Sequence, residues 1–553
     1  MKDREERRNG RSGLYWGCKY VIVNVQKTID RRHYCLQLYK EERSMRKLLS
    51  LFLAVAMMMA AVPAAFAAEP YTLDIWWVGN ADNPEVREEV EAAINEYIEP
   101  KIDAHVSFHI VPWDDWKTEV VDVLTDKASR KAAKMDLVFT ADWEYYPDLV
   151  EAKALLQLGD QLEQNGQGIL ESLSESFFNG IKVNGDIYGV PTNKELCVPQ
   201  GFIVNRTAAE AIGWDYENTE ITCTADLEPW LQKYKEKYPA RFPYLMDMSP
   251  AGRWVDEPWI NDWSGLTQNA LAMKMAMNED GEFDETVYSI FETQEEEDHI
   301  RLMYDWVQKG YISTLNFTLD KSHAETIFGS GDFLVFTQPL KGSNTKAVEM
   351  YTSCHRDLYD SFEVGEIIMQ PKYIVTAHTA GSMFAIPKTG EVDPDKAMQY
   401  LNLMHTDETL VNLMLFGVEG KNYTKVDDRK VTLTDTPWYT VHAGAWTVGD
   451  VRLQYVLENE DPEKNDKLIT FAEDATETCC LGFRFNKKKL KDEVEAVNAV
   501  VAEYADGLLC GVVDPDDPEK GIEAFRKALQ DAGIDTLREA AQKQFEAWKA
   551  SQK

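Results

Sequence analysis

Apolar positions recur along this chain with two different periods, and the period changes from segment to segment. Residues 72–78 (TLDIWWV) are apolar and rich in strand-forming side chains, which predicts a strand that ends in a turn over 79–83. Pro84 stands where a helix can begin, and Val86, Val90, Ala93, Ile94, Tyr97 and Ile98 then repeat at helical spacing. Residues 106–111 predict a second strand, 113–131 a second helix, and 135–140 (MDLVFT) a third strand. Strand and helix alternating in this order predict a parallel sheet with crossover helices, and so an α/β fold. Ligands of such sheets sit beyond the carboxyl ends of the strands. Here those ends offer Trp76, Trp77, Asp142 and Trp143. Adjacent residues of a strand point to opposite faces, so at most one of Trp76 and Trp77 is expected to reach a cleft.

Further along, residues 181–190 (IKVNGDIYGV) read as a hairpin turning at Asn184-Gly185, and 201–205 (GFIVN) as a strand leading into a helix that stops near Gly213. Residues 224–238 are amphipathic, with Thr224 as N-cap and Glu228 in the first turn. The stretch 250–265 is dense in Trp, Pro and Gly and reads as an exposed loop. Residues 295–310 place Ile300, Met303, Tyr304 and Val307 on one helix face behind an acidic start, which reads as a solvated face. A strand over 383–387 precedes a helix over 393–404 capped by Asp393-Pro394. The chain ends in two helical stripes, Ile522, Phe525 and Leu529, then Leu537, Ala541, Phe545 and Trp548, separated by Gly533.

The longest apolar run lies near the start. Residues 45–67 (MRKLLSLFLAVAMMMAAVPAAFA) have a basic start, an apolar centre too short to span a bilayer comfortably, and a small-x-small end at Ala65-Phe66-Ala67. That is the pattern of a cleaved export signal. The mature chain is expected to begin near Ala68, outside the cytoplasm. The 44 residues ahead of the signal fit poorly with a secretory start, and Met45 is expected to be the initiator. N-terminal sequencing of a precursor containing residues 1–44 would overturn that reading.

Composition narrows the partners. Residues 1–67 hold 13 of the 58 basic residues and 6 of the 94 acidic ones, leaving 45 against 88. A chain so acidic repels nucleic acid and anionic lipid, and suits neutral or cationic ligands. The length beyond the signal exceeds what one core supports, so two lobes or more are expected. Six cysteines remain (Cys197, Cys223, Cys354, Cys479, Cys480 and Cys510), with no C-x-x-C or zinc-like spacing. Cys479 and Cys480 are adjacent, which strains disulfide geometry. Ala68 stands where a lipid-bearing cysteine would follow a lipoprotein signal, so no lipid anchor is expected.

No P-loop, G-x-S-x-G or H-E-x-x-H motif occurs, and neither cofactor nor metal is expected. Residues 278–281 (NEDG) lack the alternating ligands of a calcium loop and read as a turn. Asn205-Arg206-Thr207 matches a glycosylation acceptor but follows an apolar strand and reads as structural. The aromatic residues carry the useful signal. Sugar rings stack their C–H faces on flat Trp and Tyr, while their hydroxyls need charged or amide partners. The candidate ligand contacts, taken from strand ends and loops, are Trp76, Asp142, Trp143, Lys194, Glu195, Trp254 and Trp446.

The segments LDIWWVG, MDLVFTAD, LLQLGDQLEQNG, VNGDIYGVP and GFIVNRTAAEAIG follow the signal in order. In this order the chain resembles an extracellular solute-binding protein of a bacterial ABC transporter, in the carbohydrate-binding group. QKGYI (308–312), the MFAIPKTGEVDPDKAMQYLNLMHTDETL stretch and LGFRFNKKKLKDEVEAVNAVVAEYADGLLCGVVDPD resemble a branch that ends in a C-terminal domain of unknown function. The resemblance covers nearly all of 69–553. It implies a two-lobed, flytrap-like α/β fold with a helical C-terminal region. Lobe one would hold 69–204, lobe two 205–335, shared returning segments 336–470 and the C-terminal domain 471–553. It also implies a monomer that closes on a sugar and docks on membrane permease subunits, with no catalytic residues. A binder of peptides or other solutes, a chemosensory partner and a secreted glycoside hydrolase or lyase remain the alternatives.

Overall fold

The apolar strand over residues 71–79 lies second from one edge of a five-stranded sheet, beside the central strand Leu137–Thr140. Tyr71–Gly79 lies parallel to Ala104–Pro112 on one side, with Tyr71 opposite Ala104 and Gly79 opposite Pro112. On its other side Leu137–Thr140 is also parallel, with Ile75 opposite Leu137. Met383–Ala385 then pairs antiparallel with Leu137–Thr140, and Gly189–Pro191 closes the edge. This computed structural model describes residues 69–552, apart from 81, 247–254, 257–258, 267–269, 275–281, 318–320 and 356–357. The export signal, the 44 residues before it, the 278–281 turn and Trp254 lie outside the described residues.

Helix Pro84–Ile102 covers this sheet with Val86, Val90, Ile94, Ile98 and Ile102, one residue per turn, and Asn83 caps it by accepting from the Val86 amide. The expected single helix over 113–131 is broken. One turn (Trp113–Trp116) runs through a π turn (Lys117–Val121) into Asp122–Thr125, and a new helix starts at Lys127–Ala132. Asp126 causes the break, because its carboxylate accepts from the Ser129 amide and caps a fresh helix. The expected hairpin over 181–190 reduces to its turn. Asn184 and Gly185 take positive φ of 54° and 89°, but Ile181 ends the helix Glu175–Ile181. Only Val183 and Asp186 pair across the turn.

The second lobe is a four-stranded sheet. Gln200–Asn205 is flanked by Val335–Pro339 and Val364–Ile368, both antiparallel, and Tyr244–Leu245 lies at the edge. Asn205 is 2 % exposed. It accepts from the Ala208 amide and donates to the Gly331 carbonyl, so it serves as a buried cap for the helix Arg206–Ala211. Thr224 is not the N-cap of the next helix. It begins a 3₁₀ turn (Thr224–Leu227) ahead of Glu228–Lys237, and its hydroxyl and amide both donate to Asp256 at 2.7 Å. Helix Gln294–Gln308 buries Ile300 and Met303 as expected, but it also buries Trp306 and Glu296, which is 1 % exposed. Its acidic start is therefore not a wholly solvated face.

A third core is built from helices Lys491–Leu509, Ile522–Asp531 and Ile534–Ser551 with the small sheet Trp259–Ile260, Leu271–Lys274 and Val287–Ser289. Trp259, Trp263, Phe291, Phe483, Phe525 and Phe545 are buried together there. The described part of the Trp-rich 250–265 stretch is thus no exposed loop, since the apolar stripes of the C-terminal helices need its aromatic surface as a partner. Part of the expected lobe-two span, 205–335, shares this third core.

Three segments cross between the two sheets side by side. Residues 192–199 leave lobe one, 369–382 return to it, and 472–478 run beside them. Cys197 pairs with Ile374, and Tyr373–Ile374 lies parallel to Thr476–Glu477. Among the described residues, Cys197, Cys223, Cys479 and Cys480 are free thiols. Among the described residues, no helix is long and apolar enough to cross a membrane, and no group of three or more potential metal ligands converges.

Candidate ligand-binding site

The carboxyl ends of the parallel strands carry a shelf of tryptophans. Trp113 follows directly on Ala104–Pro112, Trp143 lies in the turn after Leu137–Thr140, and Trp446 comes from a loop far along the chain. Their ring centres are 5.8 Å (Trp113 to Trp143), 6.1 Å (Trp143 to Trp446) and 6.4 Å (Trp113 to Trp446) apart, the last pair nearly parallel at 10°. Phe139 supports all three from below and is itself fully buried. Trp143 is 53 % and Trp113 37 % exposed, which is unusual for side chains of this size. The indole N–H of Trp143 donates to the Gly381 carbonyl and that of Trp446 to the Ala443 carbonyl, both at 2.9 Å. With those donors occupied, the two rings present aromatic faces.

Trp446 also lines a pocket of about 440 Å³ between the lobes. Lobe one supplies Asn80, just after the strand Tyr71–Gly79, and Tyr439. The crossing segment supplies Glu195. Lys341 and Glu349 reach it from lobe two, and Glu460 and Lys464 close it. The charges are paired rather than scattered: Lys341 lies 3.1 Å from Glu349, Lys194 lies 3.2 Å from Glu195, and Lys464 pairs with Glu460. Burial alone would push the Glu195 carboxyl up, but Lys194 and Lys341 outweigh it and hold it at about 2. The same pairing raises Lys341 against the lowering effect of its burial, through Glu195 and Glu349.

The pocket floor is neutral. His442 stacks on Trp77 at 4.3 Å, donates from Nε2 to the Leu415 carbonyl and accepts at Nδ1 from the Gly444 amide. Burial lowers its pKa to about 4. His378, near Lys194, is also lowered to about 4, by burial first and by the Lys194 charge second.

Of the sequence-derived candidates, Trp143 and Trp446 meet in the shelf, and Glu195 lines the pocket. Lys194 sits between the two, with its ammonium near Gly381, whose carbonyl holds Trp143. Asp142 does not face open solvent. It accepts a 2.6 Å hydrogen bond from Arg484 of the C-terminal region. Trp76 does not reach the shelf, because its strand runs on to Gly79 and its ring stacks on His109 at 4.5 Å. Trp77 is core, fully buried, with its N–H donated to Thr447. Sequence reasoning missed Trp113, whose position directly after a strand was the available signal. It also missed Tyr439, Lys341, Glu349, Glu460 and Lys464, for which the local sequence holds no such signal.

The family model described as "Bacterial extracellular solute-binding protein" matches residues 93–418, and that described as "Domain of unknown function (DUF3502)" matches 479–550. The chain is 23 % identical, over 89 % of its length and 93 % of the relative's, to a protein from Streptococcus pneumoniae serotype 4 named "Carbohydrate ABC transporter substrate-binding protein". Its fold is similar to the crystal structure of the N-glycan transport solute-binding protein NgtS from S. pneumoniae, with TM-score 0.71 at 22 % identity over 87 % of this chain and all of that one. The crystal structure of the same protein in complex with Man1GlcNAc gives TM-score 0.62, at 22 % identity over 87 % and 99 % of the two chains.

Proposed function

The chain belongs to the bacterial extracellular solute-binding proteins, a family of binders and not of enzymes, and from that premise we propose that it captures a neutral oligosaccharide between its lobes for an ABC importer. One observation carries this reading: a shelf of three indole rings, two of them exposed, adjoins at Trp446 a pocket lined from both lobes and carrying paired charges. Stacked rings bind the C–H faces of a sugar, and paired carboxylates and ammonium groups accept and donate to its hydroxyls. The names of the pneumococcal relatives support a glycan ligand. Closure follows from the division of labour. A ligand on the shelf touches Lys341 and Glu349 only when lobe two swings in, so the closed state gains the extra contacts and its population rises. A permease in the membrane then takes up the ligand from the closed form, which places the protein outside the cytoplasm.

The test is a thermal-shift and calorimetry panel on the mature chain with mannose- and N-acetylglucosamine-containing oligosaccharides, monosaccharides and short peptides. A rise in melting temperature with a neutral oligosaccharide, together with quenched indole fluorescence, is expected. A shift with peptides alone overturns the sugar reading.

A further inference from the structure

Matched only as a domain of unknown function, the C-terminal region touches the candidate site at one side chain. Arg484 sits just beyond the third crossing segment. Its Nε donates to Asp142 at 2.6 Å, one Nη donates to the carbonyls of Lys182 (3.0 Å) and Gly482 (3.2 Å), and the other donates to Gly180 (3.0 Å). Its guanidinium lies over the Tyr146 ring at 5.8 Å. All but Gly482 of these partners belong to lobe one. Gly180 and Gly482 allow the close approach: a Cβ on Gly180 would strike Thr379, and one on Gly482, at φ 87°, would strike the Asn179 carbonyl.

Asp142 is the residue before Trp143. The turn that carries both is closed by the Ala141–Glu144 pair and runs straight into Tyr145 at φ 61°, a left-handed conformation that an L side chain adopts at a cost. Such a turn keeps its shape only if its neighbours hold it. The Ala380 carbonyl holds the Asp142 amide, Gly381 holds the Trp143 indole, and Arg484 holds the Asp142 carboxylate. A second carboxylate, Asp262, accepts from the Ala377 amide next to these carbonyls. Without Arg484, Asp142 and Asp262 would face each other with their shared cation gone, and Asp142 would turn toward water.

We propose that Arg484 is a positioning residue for the ligand shelf, so that the C-terminal domain completes the binding site by fixing the turn that aims Trp143. The idea rests on the sugar-binding reading for its affinity arm but not for its spectroscopic arm. A lysine at 484 keeps the charge but loses the planar fork that spans Asp142 and three carbonyls.

Arg484→Met and Arg484→Lys are compared with Arg526→Met. Arg526 pairs with Glu297 at 2.9 Å and joins the same C-terminal domain to lobe two, far from the shelf. The mature wild type and each variant are titrated with Man1GlcNAc, and the near-ultraviolet circular dichroism of the ligand-free proteins reports the coupling of the clustered indoles, assigned with Trp143→Phe. Arg484→Met is expected to weaken binding about tenfold or more and Arg484→Lys by less, while Arg526→Met lowers the melting temperature and stays within about twofold of wild-type affinity. The indole signal is expected to change only in the Arg484 variants. If Arg484→Met does not fold, Arg484→Lys carries the comparison. Wild-type affinity and an unchanged indole signal in the Arg484 variants overturn the proposal, as does an equal loss of affinity in Arg526→Met. A wild type that binds no saccharide overturns the sugar reading, and the indole signal then decides the role of Arg484 alone.

Discussion

The tryptophan shelf and the charged pocket adjoin at Trp446, yet they are built on opposite principles. The shelf is uncharged, belongs to lobe one, and rests on Phe139 in the main core. The pocket is charged, draws on both lobes, and rests on the buried neutral His442. In the function proposed above, stacking would bind a ligand in either lobe arrangement, whereas contacts with Lys341 and Glu349 would depend on where lobe two stands. On that proposal the shelf would supply affinity and the pocket the difference between open and closed. The two regions also respond differently to acid, and that gives the largest expected effect.

His378, His405 and His442 each have a folded pKa of about 4, lowered by burial from 6.5. Between those values the unfolded chain takes up protons that the folded chain refuses, so stability falls as pH drops from 6.5 toward 4. At pH 5 the loss is about 2 kcal/mol per histidine. Asp262 opposes this, because burial raises its carboxyl to about 6. Above 3.8 the folded state holds its proton more tightly, so its contribution fades as pH rises through 6. Three histidines outweigh one aspartate, and the melting temperature is expected to fall between pH 7 and pH 5. His405→Gln should flatten that slope. A melting temperature that is constant over this range would show that these histidines are not buried as neutral groups.

Next in size is the shelf. Trp143→Ala or Trp446→Ala should weaken glycan binding by about 2 kcal/mol, roughly 30-fold, as for aromatic anchors at the centre of an interface. The loss should be the same at pH 6 and pH 7.5, because no titrating group lines the shelf. Calorimetry at both pH values checks this. A loss confined to one pH would merge the two regions into a single titrating site.

The shelf was half legible in the sequence and the pocket hardly at all, for physical reasons. A strand ending in an aromatic residue is a local pattern, and Trp143 at the end of MDLVFTAD was readable from it. Trp446 was reached only as a Trp in a loop, and Trp113 was absorbed into a helix that Asp126 in fact breaks. Lys341 and Glu349 meet Glu195 because three crossings bring distant segments together, and a charge in a chain with 94 acidic residues is unremarkable until its neighbours are known. The first sheet followed from strand and helix alternation, while the second lobe was expected from chain length and from the family resemblance. The third core did not, because the Trp-rich stretch near 260 has no short-range pattern that announces helices lying more than 200 residues later.

Lys341→Met tests the pocket side of the contrast. It leaves Glu349 unpaired and removes one of the two cations that hold Glu195 at about 2. The Glu195 carboxyl should rise, and glycan affinity should weaken by about threefold to tenfold, more at pH 5 than at pH 7.5. Small-angle scattering with and without saccharide should show less compaction than in the wild type. A variant that compacts normally would move the basis of closure away from Lys341.

The smallest expected effect concerns Trp76, whose neighbour Trp77 is committed to the core. Trp76 projects from the sheet onto His109, which is itself held by Asp74 at 2.8 Å, and Lys134 also pairs with Asp74. Asp74, Trp76 and His109 lie along the first two strands before their carboxyl ends, so the indole helps cover the sheet away from the shelf. Trp76→Phe keeps a ring against His109 and should leave glycan affinity within about twofold of wild type, with a change in stability of about 0.5 kcal/mol or less. Titration of fluorescence quenching makes the check direct, since removing an indole outside the shelf lowers the unquenched background and raises the fractional quench. A fall in fractional quench would place Trp76 against the ligand and extend the shelf down the sheet, past the strand ends that now bound it.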